Sequence, residues 1–259
     1  MEQLTTPSLA GSVGQYREAP PAPLLRMHFS RVWTQSIPVD HAGPFAVVPD
    51  GCVDLLWRDG RLMVAGPDMT ASLPFVQPGS TILGVRFQPG AAAKWLGLPM
   101  SEIVGREVDL DELWGSRARD MSDIIGEKPT LAAQAEALQA MLLRLSPDIE
   151  PAAPEAAAIF NAVGRASGEN GVVPLLREEL ETSERTLRRR SHDYFGYGPK
   201  MLARVLRFQK FLSLALADPD DALSGLAFDA GYADQPHLSR EIQALCGMTP
   251  LTFVRQLKR

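Results

Sequence analysis

The sequence predicts an α+β chain of two domains. The first is a small antiparallel β barrel or sandwich with a helical extension, and the second an all-α double helix-turn-helix joined by a long linker helix. Three observations predict this. Short strand-like runs bounded by turn residues fill 24–87. After Gln88-Pro89-Gly90 the apolar spacing changes from period two to that of helices. A helix, a tight turn and a capped helix then occur twice, about forty residues apart. The 259 residues, 45% of them hydrophobic, suffice for two modest cores.

Residues 1–23 are rich in Pro, Gly, Ser and Thr and lack an apolar signal core, so they are expected to form a flexible lead-in. The β-rich domain with its helical connector is expected over 24–146. Met27–Trp33 alternates with period two, and Phe45–Val48 is a short buried run. Pro49-Asp50-Gly51 is a turn, because Pro presets φ and Gly accepts positive φ. Cys52–Trp57 reads as a strand. Asp59-Gly60 is a two-residue hairpin signal before Leu62–Ala65, and Thr81–Phe87 is a further strand. Helices are expected over 91–96, 110–114, 116–125 and 130–145. Those at 116–125 and 130–146 can either pair with a second chain or pack internally. The three prolines of 147–154 mark a boundary, and 147–170 is expected to be a linker and a helix.

The last module is expected over 171–259. Val172–Leu180 leads to Ser183, an N-cap, and a helix that Gly196 ends. Pro199 suits the first turn of a long helix over 200–217. Its apolar face is Leu202, Val205, Leu206, Leu212 and Leu216, with Gln209 as an exception, and it stops at Asp218-Pro219-Asp220-Asp221. Ala222–Ala230, the turn Gly231-Tyr232-Ala233, the cap Asp234 and a helix over 235–245 make the second copy. Gly247 ends that copy, and Thr249-Pro250 starts a final helix. A helix of about eighteen residues is roughly 27 Å long, against ~34 Å between successive major-groove turns on one DNA face. Such a strut can hold two recognition helices near successive grooves.

Net charge is −5, unevenly spread. Residues 171–259 hold 13 Lys and Arg against 11 Asp and Glu, while 1–170 hold 13 against 20. A basic C-terminal face beneath an acidic first part is compatible with nucleic acid. Cys52 and Cys246 form no disulfide framework and fit a reducing compartment. No apolar run approaches the ~20 residues that span a bilayer. A cytoplasmic, nucleoid-associated protein is expected, without membrane contact.

Gly231-Tyr-Ala-Asp-Gln-Pro-His-Leu-Ser-Arg240 and Cys246-Gly-Met-Thr-Pro250, with Ser183, Leu187, Arg189, Gly196 and Pro199 of the first copy, closely resemble the AraC/XylS family of bacterial transcription regulators over 171–259. Residues 33–114, through Val48-Pro-Asp-Gly-Cys-Val-Asp-Leu55 and Gly84-Val-Arg-Phe-Gln-Pro-Gly90, look like an uncharacterised effector-type domain often found before this module. Two positions depart from the family pattern. Ser191 stands where a packing phenylalanine is usual, which predicts a loosened first motif. Pro236 stands where a base-contacting side chain is common.

The resemblance implies a sequence-specific regulator with recognition helices 183–195 and 235–245 in successive major grooves of double-stranded DNA. It also implies RNA polymerase as a partner. The residues assigned to DNA are Arg185, Arg188, Arg189, Gln235, His237, Ser239 and Arg240. Guanidinium groups can pair bidentately with guanine or with phosphate. They can equally form a solvated face beside Glu178, Glu181 and Glu184. Candidate phosphate contacts are Arg204, Arg207 and Lys210. Trp33, Asp54, Trp57 and Arg86 are candidates for a small-molecule effector pocket, although strand tryptophans also serve as core and Arg86 can pair with Asp54 structurally.

No catalysis, cofactor or metal is expected, since no Cys or His lies at ligand spacing around His237. A homodimer is a further candidate assembly. Two alternatives stand beside this reading. One is a DNA-linked enzyme acting by alkyl transfer through Cys52; the other is an interaction protein with weakened DNA binding.

Overall fold

The computed structural model of the chain describes residues 7–43, 45–165, 169–218 and 222–257. Among the described residues eight strands, β1 (Ser8–Leu9), β2 (Gln15–Ala19), β3 (Phe29–Ser36), β4 (Phe45–Ala46), β5 (Asp54–Arg58), β6 (Arg61–Ala65), β7 (Thr81–Phe87) and β8 (Glu107–Asp109), lie in the first part. Six form one antiparallel sheet in the order β2-β3-β7-β5-β6-β8, while β1 and β4 pair in parallel apart from it. The sheet is open, with β2 and β8 as its edges, so the domain is neither a closed barrel nor a two-sheet sandwich. The described part of the expected lead-in is also ordered structure, since β1 and β2 come from it and β2 pairs with β3 along its whole length.

Turn chemistry explains the hairpin. Arg58 pairs with Arg61, and Asp59 and Gly60 between them take φ of 53° and 78°, as a two-residue primed turn requires. At Gly51 φ is 77°, and the carboxylate of Asp50 accepts the Cys52 amide at 2.9 Å, closing the turn into β5.

The sheet has two different faces because strand side chains alternate. Leu55 and Trp57 of β5, Leu62 and Val64 of β6, and Leu83, Val85 and Phe87 of β7 point into the main core. That core is closed by α1 (Ala92–Leu96), α2 (Leu110–Trp114), α3 (Ser116–Gly126) and α4 (Leu131–Leu145). Ala118, Met121 and Ile125 of α3 and Leu138 and Leu142 of α4 are all buried in it. The apolar stripes of α3 and α4 therefore pack internally within one chain.

The second part holds α5 (Pro154–Arg165), α6 (Glu169–Glu179), α7 (Glu184–Phe195), α8 (Pro199–Ala217), α9 (Leu223–Ala230), α10 (Gln235–Cys246) and α11 (Pro250–Leu257). The caps fall where the residue types demand. The Thr186 amide donates to Ser183 Oγ at 3.1 Å, and the His237 amide to Asp234 Oδ1 at 2.6 Å. Gly196, Gly231 and Gly247 end α7, α9 and α10 in the left-handed region. Pro236 sits in the first turn of α10, where its missing N–H costs nothing. Residues 219–221 of the expected stop after α8 lie outside the described residues.

Helix α8 belongs to two cores. Leu202, Ala203 and Val205 pack with α5, α6 and α7, whereas Phe208, Phe211 and Ala215 pack with α9, α10 and α11. The inner face is thus richer than Leu202, Val205, Leu206 and Leu212, and Leu216 lies outside it, 55% exposed. The odd polar residue on that face, Gln209, turns out to bridge the domains, its side-chain amide donating to the Pro49 carbonyl at 2.7 Å.

Candidate nucleic-acid interface and interdomain cavity

Each helix-turn-helix has a buried side and an exposed side, set by helical periodicity. In α7, Leu187, Ser191 and Phe195 are buried, leaving Arg185, Arg188 and Arg189 exposed on one face with His192 and Asp193 beside them. Arg189 lies 3.8 Å from Asp193, a loose pair that an anion can displace. In contrast, Arg190 is turned back to pair with Glu155 of α5. In α10, Leu238, Ile242 and Leu245 are buried, and Gln235 and Arg240 are exposed. His237 and Ser239 are half-buried and locally engaged. Ser239 Oγ donates to the Gln235 carbonyl at 2.9 Å, and the His237 ring stands edge-on to Tyr232, 5.3 Å between centroids.

The expected phosphate stripe of α8 is corrected by the packing. Arg207 is only 8% exposed, its guanidinium 4.9 Å from the Tyr232 ring centre. The Arg204 guanidinium is paired with both carboxylate oxygens of Glu241, at 2.9 and 3.2 Å. Both are engaged because α8 packs against α9 and α10 on that side, bringing Glu241 to Arg204 and Tyr232 to Arg207. Only Lys210 of the three is exposed.

The expected loosening at Ser191 meets a specific local structure. Its side chain is fully buried, and its hydroxyl donates to the Tyr197 carbonyl at 2.7 Å. The bond ties the end of α7 across the Gly196-Tyr197-Gly198 turn to the start of α8, so the buried hydroxyl is satisfied.

Opposite the main core, the second face of the sheet lines a cavity of about 760 Å³. Trp33 and Gln35 of β3, Asp54, Leu56 and Arg58 of β5, and Ile82 and Arg86 of β7 alternate with the core residues of the same strands. Gln209, Leu212 and Leu216 of α8 and Phe253 and Leu257 of α11 close the far wall. Gly84 explains how a tryptophan fits: a Cβ there would fall inside the Trp33 indole, which lies across it.

Of the four residues expected to form a pocket, Trp33, Asp54 and Arg86 line this cavity and meet directly. Trp33 Nε1 donates to Asp54 Oδ1 at 3.3 Å, and Arg86 binds Asp54 at 3.1 and 2.9 Å and Asp50 at 2.8 Å. Burial would lower the Arg86 pKa, but Asp54 and Asp50 more than reverse this and hold it raised. Trp57 is corrected to core. It shares the parity of Leu55, is 6% exposed, and faces away from the cavity toward Gly126.

Cys52 lies beside this cluster, where burial and the Asp50 charge push its thiol well above the usual range. Arg58, Asp50, Asp68 and Tyr16 also line the cavity and were missed from sequence. Arg58 could have been found from the two-residue alternation of β5, which puts it on the same face as Asp54.

One loop of the first domain touches the ends of both recognition helices. Pro67 lies against Gly196, the C-cap of α7, so closely that a Cβ there would come within 2.7 Å of its ring. Four residues on, the Ala71 amide donates to the Leu245 carbonyl in the last turn of α10, at 2.6 Å. Between and beyond these contacts, Gly66, Asp68, Ser72, Leu73 and Pro74 line the cavity.

Residues 176–256 match a family model described as a helix-turn-helix domain, and residues 17–109 match one described as a domain of unknown function (DUF6597). No curated protein matches the chain. Among solved structures, the C-terminal domain of AraT, a response regulator from Geobacillus stearothermophilus, is similar at 20% identity and a TM-score of 0.37, over 40% of this chain and 85% of that one. ToxT from Vibrio cholerae is similar at 11% identity and a TM-score of 0.46, over 95% and 98% of the two chains. ToxT from Vibrio cholerae O395 bound to (E)-4-(8-methylnaphthalen-1-yl)but-3-enoic acid is similar at 11% identity and 0.43, over 94% and 98%. Among the described residues no helix is long and apolar enough to cross a membrane. With two capped helix-turn-helix units on one strut and the helix-turn-helix match across them, the C-terminal part of the chain is a helix-turn-helix DNA-binding domain of a transcription regulator.

Proposed function

We propose that DNA binding by this regulator is set by a small molecule taken up between its two domains. The observation that carries this is the cavity itself, one wall of which is the sensor sheet and the other the strut and last helix of the DNA-binding domain. A ligand there touches α8 and α11 directly and the loop 66–74 that abuts both recognition helices. Occupancy therefore bears on how α7 and α10 are held, and a ligand preferring one arrangement shifts the population toward it.

In this reading Arg185, Arg188 and Arg189 of α7 and Gln235 and Arg240 of α10 contact double-stranded DNA, and Lys210 contacts phosphate. His237 and Ser239 act by shaping the entry to α10. The regulator works in the cytoplasm on the nucleoid, with RNA polymerase as its downstream partner. Pairing of two copies belongs to the same proposal, and the exposed edge strand β2 offers unpaired backbone for it.

The reading contains no catalysis. Alkyl transfer through Cys52 is disfavoured because burial beside Asp50 suppresses the thiolate that such chemistry needs. The satisfied bond of Ser191 likewise weakens the reading of a protein that has lost its DNA affinity.

Capture of fragmented host genomic DNA by the full chain, near physiological salt, with and without small-molecule extract of the host, tests the proposal. Enrichment at a few discrete sites that changes with the extract is expected. Uniform capture that disappears with salt, or an occupancy indifferent to every extract fraction, overturns it.

A further inference from the structure

The charges on the cavity wall discriminate among ligands. Four carboxylates (Asp50, Asp54, Asp68 and Glu107) face three guanidiniums (Arg58, Arg86 and Arg106). Two of the guanidiniums are already committed. Arg86 is gripped by Asp54 and Asp50 together, and Arg58 holds Glu107 at 3.2 and 2.7 Å. The third, Arg106, is exposed and donates to the Glu102 carbonyl at 3.2 Å. An anion entering beside the inner two would have to displace a carboxylate from one of them, losing charge-assisted bonds already made.

Asp68 is in the opposite situation. Among the described residues it has no cationic partner, and its one hydrogen bond comes from Ser72 Oγ at 2.9 Å. Burial pushes its carboxyl up to about 6, and Asp50 and Glu107 add to this while the Ser72 bond opposes it. A second polar group is left over nearby. The Tyr197 hydroxyl, at the turn between α7 and α8, is buried without a hydrogen-bond partner among the described residues, and its pKa is raised by burial and by Asp50, Cys52 and Asp68.

Most of the remaining wall is apolar: Phe45, Val47, Leu56, Leu73, Leu212 and Phe253 among others. Tyr16 and Trp33, with ring centres 5.8 Å apart, add π faces that attract cations and repel anions.

Resting on the reading of the cavity as an effector site, we infer that its ligand is an apolar molecule bearing a cationic nitrogen, with the ammonium group paired to Asp68. Such a ligand supplies the counter-charge that the protein leaves out at Asp68 and buries its body against the aliphatic wall. Because Asp68 lies between Pro67 and Ala71, the contact is made on the same loop that touches Gly196 and Leu245.

A matched trio tests this on the full-length protein at pH 7.5: 4-phenylbutylamine, 4-phenylbutanol and 4-phenylbutanoate, with dissociation constants measured by calorimetry. The amine is expected to bind about tenfold tighter than either companion, the size of one charge-assisted bond. Asp68→Asn is expected to erase that advantage while leaving the alcohol within about twofold. Equal or tighter binding of the carboxylate overturns the cationic class, from the wild-type protein alone, and leaves the cavity reading standing. An amine preference that survives Asp68→Asn overturns the assignment to Asp68. Failure of all three to bind overturns the cavity reading, and this inference with it.

Discussion

Pro67 and Gly196 touch across the domain boundary at the C-cap of the first recognition helix, and among the described residues that contact has no counterpart at Gly247, the C-cap of the second. Both glycines are left-handed, with φ of 83° and 67°. A Cβ on Gly196 would meet Val104 Cγ2 at 2.6 Å, Pro67 Cγ at 2.7 Å and the Met100 carbonyl at 3.1 Å, whereas one on Gly247 meets nothing within 4 Å among the described residues. Two caps alike in sequence are thus unlike in structure.

That difference can be measured. Gly247→Ala is expected to cost about 1 kcal/mol, the left-handed penalty alone. Gly196→Ala carries the same penalty and must also separate the domains or strain Pro67, for about 2–4 kcal/mol in all. Chemical denaturation of both variants gives the comparison. Equal losses would mean that the contact between Pro67 and Gly196 yields freely.

The ionisation of Asp68 predicts a pH-dependent gain from its removal. Its carboxyl titrates at about 6 in the folded chain, above its ordinary value of 3.8, because burial, Asp50 and Glu107 disfavour the anion. Between those values the native state binds more protons than the unfolded one, so stability falls as pH rises through this window. At pH 7.5 the anion works against the fold. Asp68→Asn is therefore expected to stabilise the ligand-free protein by about 1–2 kcal/mol at pH 7.5, allowing for solvent screening of a partly exposed group. The gain should vanish below about pH 4, where the native acid is itself neutral. A melting-temperature series from pH 4 to 8 reads this directly, and a destabilised variant at pH 7.5 would contradict it.

The arginines separate into two kinds with different signatures. Arg185 and Arg188 are exposed on α7, and their replacement by Ala should leave stability unchanged within about 0.5 kcal/mol. Each lost phosphate contact should flatten the salt dependence of DNA binding by about 0.9, and each lost base contact should cost about 1–3 kcal/mol at its cognate position. Arg207→Ala should instead destabilise the domain by about 1–2 kcal/mol, since its guanidinium lies on the Tyr232 ring inside the second motif. Denaturation curves beside DNA titrations at several salt concentrations distinguish the two patterns.

What the sequence made legible was what local chemistry decides. Asp59-Gly60 forms its hairpin because both residues tolerate positive φ, and Ser183, Asp234 and Gly196 cap helices through their own side-chain or backbone properties. β2 was hidden because Gln15–Ala19 is exposed along its length and has no alternation to read. It is a strand only because β3 is beside it, a non-local fact. Trp57 was misplaced for another reason. By residue type a strand tryptophan suits a pocket wall or a core equally, and strand parity decides, grouping Trp57 with Leu55 on the core face and Asp54 with Arg58 on the cavity face. Arg204 and Arg207 needed the packing angle of α8 against α9 and α10, which spacing within one helix does not contain.

Ser191 provides the sharpest test of how the first motif is built. Its hydroxyl is wholly buried and holds the Tyr197 carbonyl. Ser191→Ala should cost about 1–2 kcal/mol by leaving that carbonyl without its donor. Ser191→Phe would install the aromatic that the AraC/XylS resemblance leads one to expect, yet must enter a site closed around a small side chain, at a cost of about 1–3 kcal/mol or more. If the aromatic variant proves more stable than the wild type, the site contains room that a phenylalanine fills, and the hydroxyl bond is a poor substitute for it. If both variants lose stability, the hydrogen bond to Tyr197 is what orders the turn between α7 and α8. DNA affinity should then fall along with it, because that turn fixes the recognition helix to the strut. Measuring folding stability and operator affinity on the same two variants decides between these outcomes.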